Sequence, residues 1–398
     1  MFEGKNVLIG ISGGIAAYKT AQLVSALSKT GADVEVIMTE NAAKFISPLT
    51  FETLTGNKCY TDTFDRDFEF DVEHIALAKK ADVFMIAPAT ANIIAKTANG
   101  IADDMLTTTF LAAAKNKIIV PAMNTNMYVN QATQDNLKKL RCHGVEVIEP
   151  AEGILACGDT GAGRMPEPDE LLAHIEKLIG REKTLVGKRV LVTAGATIES
   201  LDPVRFISNH SSGKMGFALA KEAMMRGADV TLVKAYTAAP PPRFVRITEV
   251  RDAAEMFDAV TAVSAGQDII IKAAAVADYT PSTYSGDKLK KKDVKFSVEF
   301  SRTKDILAYL GEHKTNGQFL CGFSMETKDL IENSSAKLIN KNADMIVAND
   351  LTDEGSGFGT DTNRVTFITK DGVFPQELQS KEDVAGAIFD KVAEMQGR

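Results

Sequence analysis

Lys5-Asn-Val-Leu-Ile-Gly-Ile-Ser12-Gly13-Gly14-Ile15-Ala-Ala-Tyr-Lys19 sets the grammar of the whole chain. An aliphatic, β-branched run ends in Ser-Gly-Gly, and a helical stretch opens at Ile15 with an apolar face through Ala17, Ala21, Val24 and Leu27. Gly31 stops that helix and Asp33 to Met38 supplies the next strand. Asp82 to Ala87, Lys117 to Pro121 and Val145 to Ile148 continue the series with helical stretches between them. Strands alternating with helices predict a doubly wound, mainly parallel α/β sheet.

The series then starts again. Glu167 to Ile179 has helical periodicity, and Gly180-Arg-Glu-Lys-Thr is polar without it. Lys188 to Thr193 reads as a strand entering Ala194-Gly195, Lys214 to Arg226 as a helix closed by Gly227, and Asp229 to Val233 and Asp268 to Ala273 as strands. Helix Lys328 to Asn342 and strand Asp344 to Ala348 follow. A chain of 398 residues also exceeds what one core holds, since cores stop growing near roughly 250–300 residues. Two consecutive domains are expected, 1–180 and 188–398, joined by a connector at 181–187.

Composition is that of an ordinary globular protein, 45% hydrophobic and 25% charged. The net charge of −8 argues against a general nucleic-acid surface, and no apolar run of about 18 residues suggests a membrane span or a signal peptide. A cytoplasmic location is therefore expected. Cys59, Cys142, Cys157 and Cys321 form no CxxC pair and no finger-like spacing with the five histidines, so neither a disulfide framework nor a zinc site is expected.

In doubly wound sheets, ligands bind beyond the carboxyl ends of the strands. In the first half, Ser12-Gly13-Gly14 opens a helix whose free amides suit a phosphate, although a glycine turn serves equally as plain structure. Thr39 and Ala89-Thr90-Ala91-Asn92 follow two further strands, and three small polar strand ends around one crevice suit a mononucleotide. His74, after Asp71 and Glu73, reads as a solvated helix start or as a base. Asn124 either caps the next helix or binds a carboxylate. Cys157 sits in Ala-Cys-Gly-Asp-Thr-Gly-Ala-Gly-Arg164-Met165, a glycine-dense stretch that suits a movable flap.

Ser-Gly-Gly-Ile-Ala-Ala-Tyr-Lys, His-Ile-Ala-Leu, Pro-Ala-Thr-Ala-Asn, Pro-Ala-Met-Asn-Thr-Asn-Met and the Cys157 stretch together resemble the flavin-containing cysteine decarboxylases, above all phosphopantothenoylcysteine decarboxylases. The resemblance implies a flavodoxin-like, Rossmann-like first domain that holds FMN about Ser12, Gly13, Thr39 and Ala89 to Asn92. It further implies that His74 assists the first half-reaction, Asn124 holds the substrate carboxylate, Cys157 donates a proton, and Arg164 and Met165 belong to a substrate clamp. Tyr128 stands where this family usually carries Trp.

In the second half, Asn209-His-Ser-Ser-Gly-Lys-Met-Gly216 reads as a phosphate cradle or as a plain helix cap; the P-loop frame is absent. Asp278 lies just past a strand end, where a carboxylate suits a divalent cation on a polyphosphate. Lys288 begins a densely basic run after a loop-like stretch, either a solvated surface or a delivered lysine. Lys337 and Lys341 share one helical face, again either an exposed stripe or a pair of anion contacts.

These segments resemble the phosphopantothenate-cysteine ligases, and fusion of the two families in this order is the familiar bacterial arrangement. The resemblance implies activation by CTP with Mg2+ at Asp278, an acyl-cytidylate held by Asn209, and charge stabilisation by Lys288. Nucleotide contacts are implied at Lys272, Ala273, Ala274, Asp278, Lys304, Asp305, Ile306, Leu307, Phe323, Lys337 and Lys341. Ala196 and Ile198 replace the family's usual Pro and polar residue. The implied assembly is a homo-oligomer with trimeric flavin domains and dimeric ligase domains. A flavin-binding protein that acts by association is the alternative, although it does not require His74, Asn124 and Cys157. An NAD dehydrogenase is disfavoured, because neither half pairs GxGxxG with an acidic residue about 20 positions on.

Overall fold

The computed structural model describes residues 2–64, 72–155, 158–237, 239–289, 297–326, 328–350 and 359–397. The chain divides into two compact units, Met1–Glu182 and Lys183–Arg398.

The first unit is built on a six-stranded parallel sheet. Across it run Cys59–Tyr60, Asp33–Met38, Asn6–Ile11, Val83–Ala89, Lys117–Pro121 and Glu146–Val147. All seven residues of Val83–Ala89 are buried, as expected for a strand covered on both faces. Helix Ala17–Lys29 lays Ala17, Leu23, Val24 and Leu27 on one face of the sheet, joined by Leu171 and Ile175 of helix Pro168–Ile179. Helices Ala91–Asn99 and Met105–Ala112 cover the other face with Ile93, Ile94, Leu106 and Phe110. The chain order reverses beside Asn6–Ile11, which puts the switch point between that strand and Val83–Ala89.

The second unit has eight strands in one sheet, in the order Arg246–Glu249, Asp229–Lys234, Arg189–Ala194, Ile269–Lys272, Phe319–Glu326, Met345–Asp350, Val365–Thr369 and Gly372–Pro375. The first six run parallel; the last two pair antiparallel at the edge. Two features depart from expectation. Strand Phe319–Glu326, which follows the Asn316-Gly317 turn, was not among the expected strands, and residues 183–187 are not a free connector. Leu185 is buried in the second core, and its N–H donates to the Arg226 carbonyl at 2.9 Å.

Candidate active sites

In the first unit, three adjacent strands end at one edge, followed by Ser12, Thr39 and Thr90. The Ser12 side chain is buried; its hydroxyl donates to the Pro88 carbonyl at 2.8 Å and accepts from the Thr90 N–H at 2.9 Å. That hydroxyl is spent on stitching two strand ends together. Thr39 and Thr90 cap the helices that follow, accepting from Ala42 and Ile93. Gly13 is required by close approach, since a Cβ there would lie 2.5 Å from Cβ of Asn41. The edge exposes Ile15, Tyr18 and Asn92. His74 is half-buried at the start of helix Glu73–Lys80, next to Glu73, which pairs with Lys58 at 3.5 Å.

The glycine-dense stretch forms a hairpin of Ala151–Ile154 and Thr160–Arg164. Gly161 and Gly163 are required by close approach. The Met123 N–H donates to the Gly163 carbonyl at 3.0 Å, and a Cβ on Gly163 would sit 2.2 Å from the Met123 carbonyl oxygen. Asn124 accepts from the Asn126 N–H at 2.8 Å as a helix cap and donates its amide to Asp159 at 2.8 Å. Cys157 and Ala156 lie outside the described residues. Arg164 pairs with Glu167 at 3.3 Å. Met165 is 2% exposed, packed in the core, and its carbonyl accepts from the Lys19 ammonium at 3.3 Å.

The second unit holds two adjoining cavities of about 340 and about 560 Å³ where the strand order reverses between Arg189–Ala194 and Ile269–Lys272. Both are lined by Lys272, Val276, Asp278, Phe323 and Lys337. The smaller adds Ala273, Ala274, Asn209 and Ser211 to Gly216, at the start of helix Lys214–Met225. Gly216 lets that helix approach, because a Cβ would meet Cβ of Ala194 at 2.5 Å. The larger adds Lys304 to Leu307 and Lys341. Segments up to 172 positions apart, Asn209 and Lys381, are thus gathered on one pair of cavities.

Five cations, Lys272, Arg302, Lys304, Lys337 and Lys341, face the larger cavity against two carboxylates, Asp278 and Asp305. Burial, then the neighbouring Lys337, pushes the Lys272 ammonium down to about 8. Burial likewise lowers Lys337, whose ammonium donates to the Phe323 carbonyl at 3.0 Å. Burial would raise Asp305, but Lys341 at 2.8 Å, the Ala308 N–H and Lys272 together hold it below its ordinary value. Closely spaced lysines with depressed pKa values are stabilised by an anion placed among them.

Lys288 is exposed and lines neither cavity. Lys381 and Asn363 do line the smaller one and were not expected. Lys381 opens helix Lys381–Met395, where the sequence shows only a capped amphipathic pattern.

Residues 1–180 match the family described as Flavoprotein, and residues 185–395 match the DNA/pantothenate metabolism flavoprotein C-terminal domain. A Coenzyme A biosynthesis bifunctional protein CoaBC of Bacillus subtilis (strain 168) is 48% identical over 398 residues, covering 99% of this chain and 98% of its own length. The chain belongs to the bifunctional coenzyme A biosynthesis family. The protein of the same name in Escherichia coli (strain K12) is 41% identical over 396 residues, covering 98% and 97%. A crystal structure of the C-terminal domain of such a protein is 42% identical, covering 54% of this chain and 98% of that one, with a TM-score of 0.46. As a member of this family, the chain is a flavoprotein with decarboxylase and ligase activities in coenzyme A biosynthesis. Among the described residues, no helix is long and apolar enough to cross a membrane.

Proposed function

We propose that the second unit joins 4'-phosphopantothenate to cysteine at the expense of CTP, and that the first decarboxylates the product, phosphopantothenoylcysteine, with FMN. The observation that carries this reading is the pair of cation-rich cavities around Lys272 and Lys337. A carboxylate is a poor electrophile. Its oxygen therefore attacks the α-phosphate, the bond to pyrophosphate breaks, and the resulting acyl-cytidylate loses CMP when the cysteine amine attacks.

Lys272, Lys337 and Lys341 offset the polyphosphate charge in a confined space, where Coulomb interactions are strong. Asn209, whose amide donates to the Ala275 carbonyl at 3.1 Å, is set at the cavity wall for the acyl group, and Lys288 meets charge on the attacked phosphate. Among the described residues no three His, Cys, Asp or Glu side chains converge on a metal position. The cation assigned here is Mg2+, which takes one or two carboxylates and the nucleotide's own oxygens, with Asp278 as the protein ligand.

The strand-end edge of the first unit fits FMN: the Ser12-Gly13-Gly14 turn opens a helix, and Thr39, Ala89, Thr90, Ala91 and Asn92 border it. Bound FMN supplies the hydride acceptor that gives the departing carboxylate an electron sink. His74 takes a proton in that first step, Asn124 orients the carboxylate, Arg164 closes on the substrate, and Cys157 returns a proton. Exposed Ile15, Tyr18, Leu49, Met127 and Val129 support burial between copies, as trimeric flavin domains alongside dimeric ligase domains. A cytoplasmic location accords with these soluble substrates.

Pyrophosphate release is measured with phosphopantothenate and each of the four nucleoside triphosphates, beside a visible spectrum of the purified protein. CTP alone supporting release, with a bound FMN spectrum, is the expected result. Release with ATP and not CTP overturns the nucleotide assignment, and a colourless protein that refuses FMN overturns the flavin assignment.

A further inference from the structure

Asp202 lies in the turn between strands Ile198–Ser200 and Phe206–Ser208, and its side chain is almost wholly buried, 1% exposed. A buried carboxylate needs donors, and here three backbone N–H groups supply them. Val204 and Arg205 each donate to Oδ1 at 2.7 Å, which closes the turn. Leu289, 87 positions away, donates to Oδ2 at 3.1 Å. The same turn takes a second tether from that segment, because the Ser285 N–H donates to the Leu201 carbonyl at 3.0 Å. Burial alone would raise the Asp202 pKa; the bonds from Val204, Leu289 and Arg205 hold it below the ordinary value.

Leu289 directly follows Lys288. Lys288 is exposed and lines neither cavity, and among the described residues no hydrogen bond or ion pair fixes its ammonium. The backbone one residue on is fixed, by a carboxylate whose other oxygen is already committed to its own turn.

We propose that Asp202 is the positioning residue of Lys288: it pins the Leu289 amide so that the lysine stem starts from one place. This rests on the ligase reading above, in which Lys288 acts on the attacked phosphate. Reaching a transition state from a defined start saves the entropy of searching, which appears in kcat more than in KM.

The test uses the full chain and a double-mutant cycle of Asp202→Asn and Lys288→Ala, read by pyrophosphate release with CTP and phosphopantothenate. Asn keeps one oxygen for the turn and loses the anionic acceptor facing Leu289. Asp202→Asn is expected to lower kcat at least about tenfold with KM for CTP little changed, to speed hydrogen exchange at the Leu289 amide, and to leave decarboxylation intact. In the Lys288→Ala background the same change is expected to cost almost nothing further. An equal loss in both backgrounds overturns the proposal, as does an Asp202→Asn protein of normal kcat. Full activity of Lys288→Ala alone overturns the role of Lys288 itself and is told apart by that single variant.

Discussion

Asn124 donates its side-chain amide to the carboxylate of Asp159 at 2.8 Å, across 35 positions of chain. The cap of one helix is thereby tied to the hairpin Ala151–Ile154/Thr160–Arg164, two residues beyond Cys157. An amide that already bonds one carboxylate is chemically suited to bond another.

Asn124→Asp replaces that donor with a second carboxylate facing Asp159 and the substrate. Loss of a hydrogen bond to a charged group costs about 1.5–3 kcal/mol. Decarboxylation of phosphopantothenoylcysteine is expected to fall roughly 10- to 100-fold, with pyrophosphate release unchanged. Equal decline of both activities would point to misfolding.

Gly163 has φ +154°, and an added Cβ would press on the Met123 carbonyl. Gly163→Ala is expected to displace the hairpin and destabilise the first unit by about 1–3 kcal/mol. Thermal unfolding followed by flavin fluorescence reads the shift; an unchanged midpoint with full decarboxylation would show that the hairpin tolerates the methyl group.

Lys272 sits near 8 because burial and Lys337 disfavour its charged form. Between about 8 and the ordinary value of 10.5 the unfolded chain binds more protons than the folded one. Stability of the second unit is thus expected to rise with pH across that window, a gain absent in Lys272→Met. A polyphosphate favours the ammonium, so CTP affinity by calorimetry is expected to fall as pH passes about 8. A flat profile in the wild type would remove Lys272 from the anion site.

Arg226 is enclosed by Glu222 at 2.7 Å, Asp390 at 2.6 Å and the Gly386 carbonyl at 3.2 Å. Arg226→Ala removes the 2.7 Å ion pair from the buried Glu222, which is 4% exposed, together with the contact to Asp390. A loss of about 1.5–3 kcal/mol is expected in denaturant unfolding, whereas Arg226→Met with Glu222→Gln is expected to recover most of it.

Much of this was legible from one dimension. Val83–Ala89 announces itself by continuous apolarity, Gly31 and Gly227 by position, and the strand-end motifs by following such runs. Strand Phe319–Glu326 escaped, because its Gly322 and Ser324 interrupt the aliphatic run and its partners are remote in sequence. The core position of Met165 was likewise not legible, because apolar side chains adjoining a polar motif carry no mark of which way they face.

The amino-acid order alone determined two α/β units and the edge of each sheet where ligands belong; the residues around Lys272 were implied by resemblance to a family. Periodicity and glycine placement are local properties, and local properties survive in the sequence. Only the tertiary structure decided that the Ser12 hydroxyl is spent on Pro88, that Lys272 loses basicity to Lys337, and that Asp202 holds the backbone beside Lys288. Each of these depends on groups 65 to 87 positions apart, and a buried hydrogen bond or a Coulomb interaction acts through distance in space, which the order of residues does not contain.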